Sequence, residues 1–548
     1  MKNTKISAIL STALVISMLA GCGNTPAVST ETNKTSEPVA TTETTATETT
    51  VEEEFSYPIA EGGTLSYWVG INANWGANFT TVGDTEFSKA LQERTGVTIE
   101  YRHPASGQND TEFNLMVTEG NFPDLLFRKI SSYPGGADKA IDDGIIIPLN
   151  DIIDKYCPNL KAFLEENPDI DKMVKTDRGN YYIFPFVFER DELGLTQGLY
   201  LREDWLNELG LKIPENMDDW HEVLTAFKEK KGVEAPLCVA WSTLNNSTFL
   251  SAFDIGGKGY HLGEDGKVQY GALLDGYKEF LMTMKQWYDE GLIDIDMTSL
   301  KNDQITAKMA NGMAGASYGY AASGMQAIIQ AGKKIDPNFN LVAAPVPGLT
   351  EGDEPIMSPA LTLKFSGEGV CISTDCENVE LAARFLDYGY SKEGRLLYNY
   401  GIEGESYEMV NGVPTYTDTV LKNEDGWSIG QAIAKYAVAS YKGPFVQELN
   451  YLKQYYAEPN VSVAPEVWYV EGAAAYKYPN ASATPEEAEE RATIDADLNT
   501  YVNETILKFV LGDESFDNWD KYIETAEDLG LKRAIELRQA AADRYNAR

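Results

Sequence analysis

TLSYWVG at residues 64–70 and DTEFSKALQERTGVTIEYR at residues 84–102 decide the fold class of this chain. The first stretch is rich in aromatic and β-branched residues and predicts a strand. The second begins with apolar residues at helical spacing, with Asp84 or Thr85 as the cap and Gly96 as the end. It continues into a second strand, VTIEYR. This β-α-β order is typical of a parallel or mixed sheet that is covered by helices.

The same alternation continues along the chain. TEFNLMVTEG is a helical pattern, PDLLFR (123–128) is a further strand, and LYLREDWLNELGL (199–211) runs from strand into helix. PLCVAW (236–241) predicts a buried strand, MAGASYG (313–319) a short strand, and the chain from Thr484 onward is almost entirely helical in pattern. We therefore expect an α/β protein whose length corresponds to two or three domains.

The N-terminus, MKNTKISAILSTALVISMLAGC, has the pattern of a secretory signal. Its apolar run, residues 6–20, is shorter than the roughly 20 residues that a membrane-spanning helix needs. The run ends in Leu19-Ala20-Gly21-Cys22, which resembles the bacterial lipobox. The resemblance implies that residues 1–21 are removed and that the thiol of Cys22 receives a diacylglyceryl group. We expect a protein that is lipid-anchored on the extracellular face of the cell membrane.

Residues 22–54 are rich in Thr and Glu and contain no aromatic residue. Such a segment cannot bury enough apolar surface to offset its chain entropy. It is predicted to be a disordered tether between the membrane and a globular body.

The charge of the chain limits its partners. The sequence has 45 Lys and Arg against 84 Asp and Glu, a formal net charge of −39. An acidic surface of this size repels nucleic acid and anionic lipid, so neither is an expected partner of the body. It also weighs against polyanionic glycans as ligands, although the local charge of a binding site can differ from the total.

The cysteines and histidines do not predict a metal site or a cofactor. No C-x-x-C pair occurs among the cysteines beyond Cys22, and the histidines are far apart in sequence. A chain of this length needs no disulfide scaffold, although Cys371 and Cys376 in CISTDC are close enough to pair locally. We predict no metal and no cofactor.

Five further segments carry a resemblance to a known family. These segments occur in the same order as in that family. They are FPDLLF (122–127), YLREDWLNELGLKIPENMDDWHEVLTAFKE (200–229), EGLIDID (290–296), GIEGESYEMVNGVPTYTD (401–418) and KFVLGDESFDNWDKYIETAEDLGLKRAIELRQAAADRYN (508–546). Together, behind a lipobox, they resemble the extracellular solute-binding lipoproteins of ABC importers. The most similar subgroup is the large saccharide-binding, LplA-like subgroup of Firmicutes.

The resemblance implies the type II periplasmic-binding-protein fold, with two α/β lobes around a cleft and a helical C-terminal extension. By this analogy lobe one is residues 55–194 plus 340–394, and lobe two is residues 195–339 plus 395–548. The implied mechanism is closure of the lobes on a bound oligosaccharide, followed by docking on ABC permease subunits in the membrane. We expect a monomer.

The aromatic content gives a physical reason for a sugar ligand. A pyranose ring has an apolar C–H face that an aromatic ring covers, and a hydroxyl rim that polar side chains bind. The chain has 9 Trp and 31 Tyr, several of them where strands end, which is where open α/β sheets bind ligands. The predicted ligand-binding residues are Trp68, Trp75, Arg128, Trp241, Tyr318, Tyr320, Glu405, Tyr407 and Trp427.

Enzymatic alternatives have weaker sequence support. Residues 315–319, GASYG, fit the G-x-S-x-G nucleophile elbow, but every histidine precedes Ser317, whereas the triad of that fold requires a later one. A cell-surface glycoside hydrolase needs only a pair of carboxylates, and nothing in the sequence locates such a pair. A glycan-binding adhesin or sensor would use the same cleft without transport. We predict a binding protein with no catalytic residues.

Overall fold

The computed structural model describes residues 55–439, 441 and 443–548. Within them, a five-stranded sheet has the order β2-β1-β3-β11-β4. Its strands β1, β2 and β3 run parallel, and β11 runs antiparallel to both β3 and β4. The strands are β1 (Gly63–Trp68), β2 (Val97–Arg102), β3 (Leu125–Arg128), β4 (Phe184–Pro185) and β11 (Gly369–Ile372). This sheet and the helices on it form the first lobe.

A second sheet has the order β10-β6-β9, with β6 antiparallel to both of its neighbours. It is the centre of the second lobe. The remaining strands form two hairpins and one two-stranded parallel pair. All of these strands are β5 (Val187–Phe188), β6 (Gln197–Arg202), β7 (Tyr260–Leu262), β8 (Val268–Tyr270), β9 (Ala316–Tyr320), β10 (Leu341–Ala343), β12 (Tyr407–Val410), β13 (Val413–Tyr416) and β14 (Val446–Gln447).

The α-helices cover both sheets and form the C-terminal part of the chain. They are α1 (Ala73–Gly76), α2 (Glu86–Thr95), α3 (Asn109–Glu119), α4 (Gly136–Asp142), α5 (Asn150–Tyr156), α6 (Pro158–Glu166), α7 (Pro168–Met173), α8 (Glu203–Leu209), α9 (Met217–Lys231), α10 (Trp241–Leu244), α11 (Asp275–Asp289), α12 (Asn302–Ala310), α13 (Ala327–Gly332), α14 (Val379–Asp387), α15 (Lys392–Tyr400), α16 (Asp418–Leu421), α17 (Ile429–Tyr436), α18 (Leu449–Tyr455), α19 (Pro459–Ser462), α20 (Ala464–Val467), α21 (Pro485–Leu511), α22 (Trp519–Asp528) and α23 (Leu531–Asn546).

The predicted front of the fold is confirmed. Thr85 caps α2 by accepting a hydrogen bond from the backbone N–H of Ser88, and Gly96 ends the helix with φ of 75°, where a side chain would be strained. The strand that follows, β2, pairs in register with β1 from Gly63 opposite Val97 onward. The α/β prediction is therefore confirmed, and the helical C-terminus is confirmed as α21, α22 and α23.

The prediction of a continuous strand over PLCVAW (236–241) was wrong. Leu237 forms only isolated parallel bridges, to Ile293 and to Ala316 of β9, and Trp241 already begins α10. Leu237 and Cys238 are nevertheless fully buried. The run is apolar because it crosses the interior of the second lobe as an extended segment with few ladder bonds.

Two features cross the predicted lobe boundaries. β10 pairs with β6, so it belongs to the sheet of the second lobe, although the predicted boundary at residue 340 would place it in the first. The C-terminal helices pack mainly on the second lobe, where Phe509 and Leu531 join its apolar core. Their ends, however, reach the first lobe. The remaining boundaries stay a prediction.

The contact of the C-terminus with the first lobe is an ionic seam formed by Asp177, Arg544 and Arg548. Asp177 accepts hydrogen bonds from Arg548 Nη2 at 2.6 Å and from Arg544 Nε at 3.1 Å. Arg544 also donates to Glu487 of α21 at 2.8 Å, and the side chain of Arg548 is only 4% exposed. Because Asp177 follows α7 in the first lobe, the seam connects α23 to both lobes.

Among the residues that the structure describes, no helix is long and apolar enough to cross a bilayer. The cysteines in this part of the chain, including Cys371 and Cys376, are free. The predicted signal peptide, Cys22 and the tether lie outside the described residues.

Candidate functional site

A cavity of about 260 Å³ lies at the carboxyl end of β9 in the second lobe. Because β6 is antiparallel to β9, the start of β6 at Gln197 lies at the same end as Tyr320. Most of the side chains that line it can donate or accept a hydrogen bond, and none of the described lining residues is charged. They are Gln197, Tyr200, Ser242, Thr243, Asn246, Asn302, Ile305, Thr306, Tyr318, Gly319, Tyr320, Ser323, Gly324 and Ile328. We call this the second-lobe cavity.

The sequence after β9 shapes one wall of this cavity. The chain continues from Tyr320 into a π-helical turn, Ala321–Gln326, a rare form that is frequent at functional sites. A Cβ atom at Gly319 or at Gly324 would lie 3.0 Å from the hydroxyl oxygen of Tyr200. Glycine at these two positions therefore leaves room for the phenol of Tyr200 in the wall.

Two tyrosines give the cavity its aromatic character. Tyr318 is buried, and its burial raises the pKa of its hydroxyl well above the usual range, so the phenol stays neutral. Tyr320 is 50% exposed, which leaves much of its ring available for contact. An exposed ring beside neutral hydrogen-bonding groups is the combination that a sugar ring requires.

Asn246 also lines the cavity and has a fixed orientation. Its Oδ1 accepts a hydrogen bond of 2.6 Å from the backbone N–H of Lys258. The ammonium group of Lys258 is occupied elsewhere, because it donates to Asn503 Oδ1 at 2.8 Å and to Asn245 Oδ1 at 3.3 Å. Burial lowers the pKa of Lys258, which is the effect of a cation losing water.

The carboxyl edge of the first-lobe sheet has a different chemistry. Arg128, at the end of β3, lies 3.9 Å above the ring centre of Phe113 and pairs with Asp110 at 3.0 Å. The Nε atom of Arg128 is buried and has no hydrogen-bond partner among the described residues. Tyr441 contacts the ring of Phe127 beside this pair, at 6.0 Å between centroids. This edge is charged and aromatic, whereas the second-lobe cavity is neutral.

Four predicted aromatic residues are in the protein interior, which does not fit a stacking role. Trp68, Trp75, Trp241 and Tyr407 are each between 2% and 6% exposed. The indole N–H of Trp75 donates to the backbone oxygen of Ala434 at 2.8 Å, so α1 packs against α17 through this ring. Trp75 lies in a polar loop and Trp241 is followed by one, yet their rings turn into the cores of the two lobes.

Glu405 and Trp427 are outside the second-lobe cavity. Glu405 is exposed and holds Thr417 through its backbone oxygen rather than through its carboxylate. Trp427 is half-buried, contacts the ring of Phe79 at 6.2 Å, and borders a separate concavity with Asp425 and Lys422. Of the predicted residues, the structure brings together only Tyr318 and Tyr320 in one cavity.

The structure leaves no reactive serine at the G-x-S-x-G motif. Ser317 is fully buried in β9 and its Oγ donates to the backbone oxygen of Cys238 at 2.7 Å. The motif instead belongs to the strand that supports the cavity. Among the described residues no group of three or more His, Cys, Asp or Glu side chains is placed to hold a metal ion.

Several cavity residues were not predicted. Ser242, Thr243 and Asn246 lie in STLNNS, whose polarity directly after an apolar run was a usable signal. Gln197 and Asn302 come from the start of β6 and the start of α12, and no local pattern distinguishes them from surface residues.

Comparison with known proteins supports a ligand-binding role. A model of the family described as bacterial extracellular solute-binding protein matches residues 73–396. The chain is 25% identical over 528 residues to the fructooligosaccharide ABC transporter substrate-binding protein FusA of Streptococcus pneumoniae, which covers 90% of this chain and 93% of FusA. It is 23% identical over 459 residues to the polygalacturonan/rhamnogalacturonan-binding protein YtcQ of Bacillus subtilis, with 82% of this chain and 86% of YtcQ covered.

A solved structure agrees with the fold. FusA of S. pneumoniae in complex with kestose matches with a TM-score of 0.67 and 23% identity, over 88% of this chain and 99% of that chain. The likeness confirms the two-lobed type II fold that the sequence predicted.

Proposed function

Because the chain belongs to the bacterial extracellular solute-binding proteins, we propose that it is a receptor that binds an oligosaccharide and delivers it to an ABC-type permease. The observation that carries this proposal is the second-lobe cavity, in which the exposed ring of Tyr320 lies among uncharged hydrogen-bonding side chains. FusA and YtcQ, whose names state saccharide ligands, support the same class of ligand.

The way in which the ligand is held follows from the two lobes. The ligand contacts the second-lobe cavity and the first-lobe edge at Arg128, and it favours closure by the difference in its affinity for the closed and open forms. Binding is reversible and no bond is broken, since the site is used for capture rather than for chemistry. The protein is not an enzyme in this proposal.

The proposed location is the outer face of the cell membrane, with Cys22 as the lipid attachment point. In a Gram-positive expression host, the wild-type protein should remain with the membrane fraction, and a Cys22→Ser variant should appear in the medium. Equal membrane retention of both proteins would contradict a lipid anchor at this residue.

The ligand class is tested by thermal denaturation of the purified protein with a panel of neutral and anionic oligosaccharides. We expect at least one oligosaccharide to raise the melting temperature, because a ligand that binds only the folded state stabilises it by mass action. Chromatography of the mixture should recover that sugar unchanged. A panel without any shift would contradict the proposal, and recovery of shortened sugar would favour a glycoside hydrolase.

A further inference from the structure

The second-lobe cavity is uncharged in a chain with a large excess of carboxylates. None of its described lining residues is Asp, Glu, Lys, Arg or His. Enclosing a carboxylate in such a cavity would be costly, because a buried charge needs a partner of opposite sign or several donors. The cavity therefore suits a sugar unit that has hydroxyl groups and no charge.

Lys258 and Arg128, the two cations described above, have hydrogen-bond or ion-pair partners elsewhere. The backbone of Lys258 holds Asn246, but its ammonium group donates to Asn503 and Asn245. Arg128 is in the first lobe and is paired with Asp110. Neither group is directed at the cavity by a contact that the structure shows, so neither compensates a ligand carboxylate there.

The volume of the cavity limits the size of the ligand group that it can hold. Its volume of about 260 Å³ is below the range of roughly 300–1,000 Å³ that is common for sites of drug-sized ligands. The cavity matches one sugar ring better than a chain of several rings. The rest of an oligosaccharide would extend out of it.

Asn246 is the residue on which the chemistry of this site depends most. Its Oδ1 is held by the Lys258 backbone N–H, and this fixes the carboxamide so that Nδ2 remains as the donor. An N–H group at the cavity wall can donate to the oxygen of a sugar hydroxyl group. Aspartate at this position would keep the bond to Lys258 but would replace the donor with a negative charge.

On the basis of the proposed function, we infer that the second-lobe cavity binds one uncharged terminal ring of the oligosaccharide and that Asn246 is a specificity-determining residue for it. A terminal uronate is discriminated against because nothing in the cavity compensates its carboxylate. The ring packs on Tyr320, and its hydroxyl groups bind the neutral side chains of the wall.

The test is calorimetric titration of the wild-type protein with the neutral trisaccharides kestose, raffinose and maltotriose and with trigalacturonate. We expect at least one neutral trisaccharide to bind, and trigalacturonate to bind at least about tenfold more weakly than it. Trigalacturonate that binds as tightly as the best neutral sugar would overturn the inference and leave the proposed function intact. Absence of binding by all four sugars would overturn both.

The role of Asn246 is tested by Asn246→Asp with Asn338→Asp as the matched control. Asn338 is exposed in the same lobe and does not line the cavity. We expect Asn246→Asp to weaken binding of the neutral trisaccharide about tenfold with an unchanged melting temperature, and Asn338→Asp to stay within about twofold of wild type. Equal affinities of the Asn246→Asp variant and the wild type, or an equal loss in the control, would overturn the assignment.

Discussion

The second-lobe cavity and the ionic seam use polar side chains in opposite ways. In the seam, the charges of Asp177, Arg544 and Arg548 satisfy one another and the side chain of Arg548 is 4% exposed. In the cavity, the described lining residues carry no charge, and most of them can donate or accept a hydrogen bond. Charge therefore connects elements in the seam, whereas the second-lobe part of the proposed ligand site is neutral.

The largest expected effect is a loss of stability after a substitution in the ionic seam. Asp177→Asn leaves Arg548 without a carboxylate side-chain partner, whereas Arg544 keeps Glu487. We expect a loss of about 2–3 kcal/mol of unfolding free energy, somewhat below that of a fully buried pair. Affinity for sugar should change by less than about twofold, because the seam does not line the cavity. Urea denaturation and titration calorimetry measure the two quantities. A large loss of affinity without a loss of stability would contradict the structural role of the seam.

The second largest expected effect is a loss of sugar affinity after a substitution in the second-lobe cavity. Tyr320→Ala removes a half-exposed ring, and we expect binding to weaken about 10–30-fold, since a central tyrosine contributes strongly to an interface. The unfolding free energy should change by about 0.5 kcal/mol or less, as for other exposed positions. Trp427→Ala is the matched control because this ring borders a different, charged concavity. Similar losses in both variants would show that the ligand is not confined to the second-lobe cavity.

The smallest effect concerns pH. Asp387 is fully buried in the first lobe, and its burial raises its pKa to about 6 from 3.8 despite hydrogen bonds from Asn159 and Leu160. Because the folded pKa is above the unfolded one, the native state binds the additional proton, and the stability from this group is lost as pH rises through about 6.

From pH 5 to pH 7 the wild type should therefore lose about 1 kcal/mol of stability relative to Asp387→Asn, in which nothing titrates at this position. Affinity for a neutral sugar should stay constant over the same range, since no lining residue of the cavity changes charge. Denaturation and titration at both pH values provide the measurement. A pH-dependent affinity with a pH-independent stability difference would contradict both the titration of Asp387 and the neutrality of the cavity.

Local sequence patterns predicted much of the fold but not the pairing of strands that are far apart in sequence. β1, α2 and β2 could be predicted because propensity, capping and hydrophobic spacing agree within a few dozen residues. The pairing of β11 with β3, and of β10 with β6, joins segments that are far apart in sequence. No local signal specifies such a pair, so the lobe boundary at residue 340 was placed too early for β10.

The candidate site could be predicted only in part for a related physical reason. Tyr318 and Tyr320 end a strand and line the second-lobe cavity, and their contact with a ligand stays a prediction. Trp75 also follows a strand in a polar loop, but its indole N–H is bound by Ala434, which is 359 residues later in the chain. Local polarity indicates that a loop is near the surface, whereas the direction of each ring depends on partners that the sequence does not identify.

We propose that an unmodified oligosaccharide places an uncharged ring in the second-lobe cavity. A crystal structure of the protein with the neutral sugar that gives the largest thermal shift tests it most directly. We expect an intact sugar whose terminal ring lies against Tyr320, with a hydroxyl group within hydrogen-bond distance of Asn246 Nδ2. A sugar bound beside Trp427, or a cleaved sugar in the cavity, would contradict it.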